Sequence, residues 1–237
     1  MGSIPIGTTN QEKLKRIALF RRRRILLRRA RTKYGFDSHW DYSKKMKNFE
    51  SKFEQTGDIF EWQFIGQVDT KNPEYQKALQ EAQKEEEKEG LKNDYIRFKK
   101  AVELAKKFQP YDPANPDKPF ARDIRIALQE LLELTSDEEM DRVKFYTASG
   151  TPLDKFHGVD AFIEYEESPQ KDPYRATFDL TMNPQKKAYK SDIVVIGEDL
   201  PDPKLTPKEY LQKIEKLAAR VLSKMAVREV QEKKKIL

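Results

Sequence analysis

Residues 156–197 read FHGVDAFIEYEESPQKDPYRATFDLTMNPQKKAYKSDIVVIG. Val159, Ala161, Ile163 and Tyr165 alternate with Asp160, Phe162 and Glu164, and Phe178, Leu180 and Met182 alternate with Thr177, Asp179 and Thr181. Period-two patterns of this length predict half-buried strands. The connector 167–174 carries two prolines among polar residues and reads as a hairpin loop. Placing both apolar rows on one face demands that odd positions pair with even ones, for example Ile163 with Phe178 and Ala161 with Leu180. Asp160 then lies opposite Thr181 and Phe162 opposite Asp179. The two aspartates share the other face, diagonally, at roughly 5–8 Å between Cβ atoms. Two carboxylates on one sheet face repel, and a cation between them is a common reason to keep them there.

The order of elements around this hairpin predicts an α+β fold. A helix over 121–135 carries Ile124, Leu128, Leu131 and Leu132 on one side, and Val143–Thr147 reads as a strand entering the sheet. The unbroken run Ile193-Val194-Val195-Ile196 suits a strand buried on both faces. Thr206-Pro207-Lys208-Glu209 fits a capping box with proline at N1, so a long helix starts there, striped by Leu211, Ile214, Leu217, Val221 and Met225.

Upstream, Phe60–Phe64 alternates and reads as a lone strand between Gly57 and Gly66, in need of a partner. Asn72-Pro73 opens a solvent-washed helix to about Lys88, and after Gly90 a second helix covers 91–108. Four prolines in Gln109–Pro119 mark a domain boundary. The chain thus divides into a basic arm and helical region over 1–110 and an α+β domain over 120–237, a helical N-terminal part followed by a small mixed sheet flanked by helices.

Charge is distributed unevenly. The 237 residues carry a net charge of +6. Residues 11–33 hold 11 Lys/Arg against one acidic residue, a local +10, leaving 35 basic and 39 acidic residues elsewhere, a net of −4. This arm is read as a helix over 10–34 with Arg21, Arg22, Arg23, Arg24, Arg28 and Arg29 interleaved with Leu19, Phe20, Ile25, Leu26 and Leu27, stopped by Gly35. Guanidinium forks hold phosphate oxygens in pairs, so nucleic acid, DNA or RNA, is the first partner class. An anionic membrane surface, an acidic protein partner and a mitochondrial transit peptide are the competing readings. No apolar run is long enough to span a membrane and no signal-peptide core precedes a cleavage site, which makes a cytoplasmic location the expectation.

Zero cysteines exclude disulfides and thiolate metal sites, and two histidines disfavour zinc. Any metal is held by oxygen, which favours Mg²⁺, with Mn²⁺ or Ca²⁺ as alternatives. The chain has no Walker-type glycine loop, no GxGxxG and no Gly-x-Ser-x-Gly, so nucleotide cofactors and serine-hydrolase chemistry find no support.

Gly158-Val159-Asp160 opening one strand, followed by Asp179-Leu180-Thr181 on the next, resembles the PD-(D/E)XK nuclease superfamily in degenerate form, over about 120–237. That resemblance implies a restriction-endonuclease-like core and metal-dependent phosphodiester hydrolysis. It implies Asp160 and Asp179 as ligands for Mg²⁺ or Mn²⁺, with Glu130 or Glu133 of the preceding helix as a third carboxylate. Thr181 stands where the family has lysine, and Lys186, Lys187 or Lys190 is the candidate replacement. The alternative expectation is a non-catalytic nucleic-acid-binding or interaction protein that kept the fold. In that reading Asp160 caps a turn near Gly158 and Thr181 hydrogen-bonds Asp160.

Overall fold

A computed structural model describes residues 57–236 except 92, 93, 184, 186–188 and 204, without the side chains of 57–60 and 227–236. The arginine-rich helix expected over 10–34 and the Lys186–Lys187 pair lie outside the described residues. The described elements are α1 (Gly57–Ile65), α2 (Pro73–Lys88), α3 (Phe98–Lys107), α4 (Pro119–Leu131), α5 (Asp137–Met140), β1 (Val143–Thr147), α6 (Pro152–His157), β2 (Ala161–Tyr165), β3 (Tyr174–Thr181), β4 (Ile193–Ile196), a 3₁₀ turn (Gly197–Asp199) and α7 (Pro207–Ile236). The fold is α+β, a four-stranded mixed sheet in the order β1-β2-β3-β4 with helices on both faces. The first three strands form an antiparallel meander, and β4 runs parallel to β3.

Alternation along the strands sorts the two faces. Phe145, Ala161, Ile163, Ala176, Phe178, Leu180, Ile193 and Val195 share one core with α4 and α7. Phe120 of α4 sets its ring edge-on to Phe145 and Phe178, with centroids 6.4 and 6.3 Å away. Tyr146 and Phe162 face the other way and share a second core with Ile96, Ala101, Val102 and Ala105 at and within α3 and Leu153 of α6. Helices on both faces are the expected solution for a sheet with two faces to cover.

The hairpin forms with the expected face parity but a different register. Ala161 pairs with Phe178 and Ile163 with Ala176, a slip of two residues. Because side chains repeat every two residues, registers differing by two bury the same apolar set, and the hydrophobic pattern cannot choose between them. Cross-strand pairs near the hairpin end distinguish the two: Tyr165 stacks on Tyr174 at 6.4 Å, and Arg175 Nε donates to Glu164 Oε1 at 2.7 Å.

Three further elements depart from expectation. Phe60–Phe64 belongs to helix α1, not to a strand. In so short a run the pairs 60/64 and 61/65 fit a helical repeat as well as alternation fits a strand. Phe64 and Ile65 pack into the α4-side core while Trp62 stays 46% exposed. β4 lies at the sheet edge and buries only Ile193 and Val195, so its continuous apolar run does not mean burial on both faces. The helix expected over 91–108 begins only at Phe98, with Ile96 already buried in the extended entry segment.

The proline-rich stretch 109–119, where the sequence suggests a domain boundary, runs inside one unit spanning Glu54–Leu237. Tyr111 OH donates to the Ile65 carbonyl at 2.8 Å, and Phe145 N–H donates to the Pro113 carbonyl at 2.9 Å. Among the described residues no helix is long and apolar enough to cross a membrane.

Candidate metal centre

The site forms where β1 ends, β2 begins and β3 ends. After β1 the chain turns through Ala148–Gly150 and enters α6, whose N-cap Thr151 accepts from Leu153 N–H at 3.2 Å and is followed by Pro152. Asp154 sits in the first turn of this helix, and its Oδ2 accepts from Gly150 N–H at 3.0 Å. Gly150 has φ +82°, and a Cβ there would sit 3.1 Å from Gln67 Nε2, so this carboxylate-holding turn calls for glycine. Gly158, at φ +61°, ends α6 in the left-handed conformation and redirects the chain into β2.

Asp160 follows two residues later, immediately before β2. Its N–H donates to Phe178 O at 2.9 Å and its carbonyl accepts from Ala148 N–H at 2.7 Å, which pins its backbone between β1 and β3. Its side chain is 5% exposed, and Oδ2 accepts from Leu180 N–H at 2.6 Å. Glu61 comes from α1, which packs against β3 and α4. Its Oε2 accepts from Ser149 Oγ at 2.8 Å. Oxygens of Glu61, Asp154 and Asp160 all lie within 4.8 Å of one another.

Asp179 of β3 is 3% exposed, and its charge acts on Asp160. The β2–β3 ladder ends at Ala161 and Phe178, and Asp160, one residue before it, donates its N–H to Phe178 O rather than pairing with Thr181. Burial is the largest influence on Asp160, followed by the negative charge of Glu61. Leu180 N–H opposes them, while Asp154 and Asp179 reinforce them, and the carboxyl is pushed up to about 8. An acid so crowded by acids carries a proton at neutral pH unless a cation replaces it. The triad is all oxygen and partly to fully buried, a donor set that suits a hard cation, and it can hold a metal ion.

The other expected site residues are placed as follows. Thr181, at the end of β3, is 8% exposed, and its Oγ1 accepts from Asn183 N–H at 3.1 Å. The Oδ2 of Asp160 is engaged by a backbone amide, Leu180 N–H. Lys190 donates from Nζ to the Phe156 carbonyl at 3.0 Å, at the C-terminal end of α6. Glu130 and Glu133 belong to α4 and its C-terminal exit, and α4 covers the opposite face of the sheet. Neither joins the carboxylates that converge on Asp160, and the helical glutamate that does is Glu61.

Glu61 was hidden by the strand reading of its segment. Asp154 carried a usable signal, since Thr151-Pro152 with Gly158 six residues on is the signature of a short capped helix. Comparison with family models, with curated proteins and with solved structures returns no match for this chain.

Proposed function

We propose that this protein is a metal-dependent phosphodiesterase acting on nucleic acid, with Asp160 at its centre. The observation that carries this reading is the convergence of Glu61, Asp154 and Asp160 within 4.8 Å beside the buried Asp179. Helix glutamate, aspartate entering one strand and aspartate on the next follow the order of the PD-(D/E)XK resemblance, with Glu61 in the glutamate role. Mg²⁺ or Mn²⁺ is the ion such a donor set and such chemistry favour. A bound ion of this kind lowers the pKa of water and offsets charge on the scissile phosphate. Asp160 would hold such an ion in place of its own proton. Glu61 and Asp154 are oriented by Ser149 and by Gly150 N–H, so their oxygens are already turned together. Lys190 brings a cation to the end of α6, where it can meet a phosphate. Arg21, Arg22, Arg23, Arg24, Arg28 and Arg29 supply sequence-independent grip on the backbone.

A second reading, a binding protein without hydrolysis, draws on Thr181 at the lysine position, buried and engaged by Asn183. One experiment separates the two. In the first reading Mg²⁺ or Mn²⁺ raises the melting temperature, by the equivalent of about 2.7 kcal/mol at one hundred times Kd. Asp160→Asn, Asp154→Asn and Glu61→Gln each abolish that increment, and double variants lose no more than single ones. Metal-dependent cleavage of DNA or RNA disappears in the same variants. Metal-insensitive melting together with no cleavage rejects the enzyme.

A further inference from the structure

A cleft of about 230 Å³ opens between α2 and the loop that leads into α6. Gly150 and Thr151 form part of its wall, and Gly150 N–H is the donor that holds Asp154, so cleft and triad share one loop. Gln83 of α2 lines it with an amide, as does Gln76, whose Nε2 donates to Thr70 O; Asp94 adds an acceptor, and Lys155 and Phe156 of α6 add a cation and a ring. Lys155 Nζ stands 5.0 Å from the Phe156 ring, and Tyr95 extends the aromatic surface at 5.5 Å. The volume falls below the roughly 300–1,000 Å³ of sites for drug-sized ligands, so one ring system with its substituents is the fitting occupant.

Amide groups and an acceptor beside an aromatic ring and a cation match a nucleobase and its phosphate. We propose that this cleft holds one unpaired nucleobase while the adjoining phosphate lies at Glu61, Asp154 and Asp160. The inference rests on the phosphodiesterase reading and specifies its substrate class: nucleic acid unpaired at the cut. A base inside a duplex must first unstack and unpair to enter, at a cost of a few kcal/mol that a single strand largely avoids.

The test uses the full chain with 12-nucleotide single strands, DNA and RNA, and hairpin duplexes of the same sequence. Cleavage is followed in Mg²⁺, and binding by fluorescence anisotropy in the same buffer. The single strand is expected to be favoured by about tenfold or more, corresponding to at least 1.4 kcal/mol of avoided unpairing. Gln83→Ala combined with Lys155→Ala is expected to cut that preference to about twofold while leaving the Mg²⁺ melting increment intact. Phe156→Leu serves as a separate check on the aromatic wall. Equal handling of duplex and single strand, or an unchanged ratio in the double variant, overturns the cleft assignment alone. Loss of the Mg²⁺ increment from the wild type, with no cleavage, instead overturns the parent reading. The anisotropy ratio then still decides whether the cleft takes an unpaired base.

Discussion

Two buried carboxylates, Glu164 within β2 and Asp160 just before it, lie four residues apart, and their surroundings are opposite. Glu164 is fully buried within β2 and accepts from Lys106 Nζ at 2.9 Å and Arg175 Nε at 2.7 Å. Those cations sit over the rings of Tyr146 and Phe162, each at 5.5 Å. Asp160 is nearly as buried, but the charges that most shift it are Glu61, Asp154 and Asp179, all acidic. A fold tolerates a buried acid when cations and hydrogen bonds compensate it. Glu164 meets that condition within the protein. Asp160 meets it by keeping a proton or by taking a cation, and this contrast marks one position as structural and the other as a site.

The contrast breaks first at Glu164. Replacing it by Gln keeps the shape but removes the carboxylate charge that Lys106 and Arg175 share. Their side chains are 25% and 20% exposed and can swing toward water, so the loss belongs at the lower end of the roughly 3–5 kcal/mol typical of a broken buried pair. Urea denaturation measures it, and a loss under about 1 kcal/mol would erase the distinction between the two acids.

At Asp160 the sign reverses. Below about pH 4 the carboxyl is protonated both folded and unfolded and costs nothing. Between there and about 8 the folded protein retains a proton that the unfolded chain releases, so metal-free stability falls as pH rises and levels off above that value. Asp160→Asn, which still offers Leu180 N–H an oxygen, should flatten this slope. At pH 8 it should stabilise the metal-free protein by about 1–2 kcal/mol, a part of what a shift of several units represents. Melting curves across pH 4–9 without and with Mg²⁺ provide the check. A variant that keeps the wild-type slope would show that another group titrates.

The smallest effect sharpens the same comparison from across the sheet. Glu133→Gln, at an exposed position beyond α4, should change stability by less than about 0.5 kcal/mol and leave the Mg²⁺ increment untouched. An increment that fell with this variant would move the metal centre to the α4 face.

Local chemistry made much of the fold legible. The apolar stripe and Thr206-Pro207 foretold α7, and alternation foretold β1 and the hairpin. Proline spacing misled, because Tyr111 and Pro113 are held by Ile65 and Phe145, partners that no local pattern announces. The run at 193–196 announced a strand but not its edge position, since apolar composition does not say which side a neighbour takes.

The α+β class, the alternating faces and the oxygen-only character of any metal site follow from propensity, parity and composition, which act within a few residues or over the whole chain. That Glu61, not Glu130 or Glu133, joins Asp154 and Asp160 is a result of long-range packing. Residues 61 and 160 are brought together by α1 packing on β3 and by Ser149 at the end of β1. That contact depends on which helix covers which end of the sheet, a choice made by the packing of both cores together and absent from any local window of the chain.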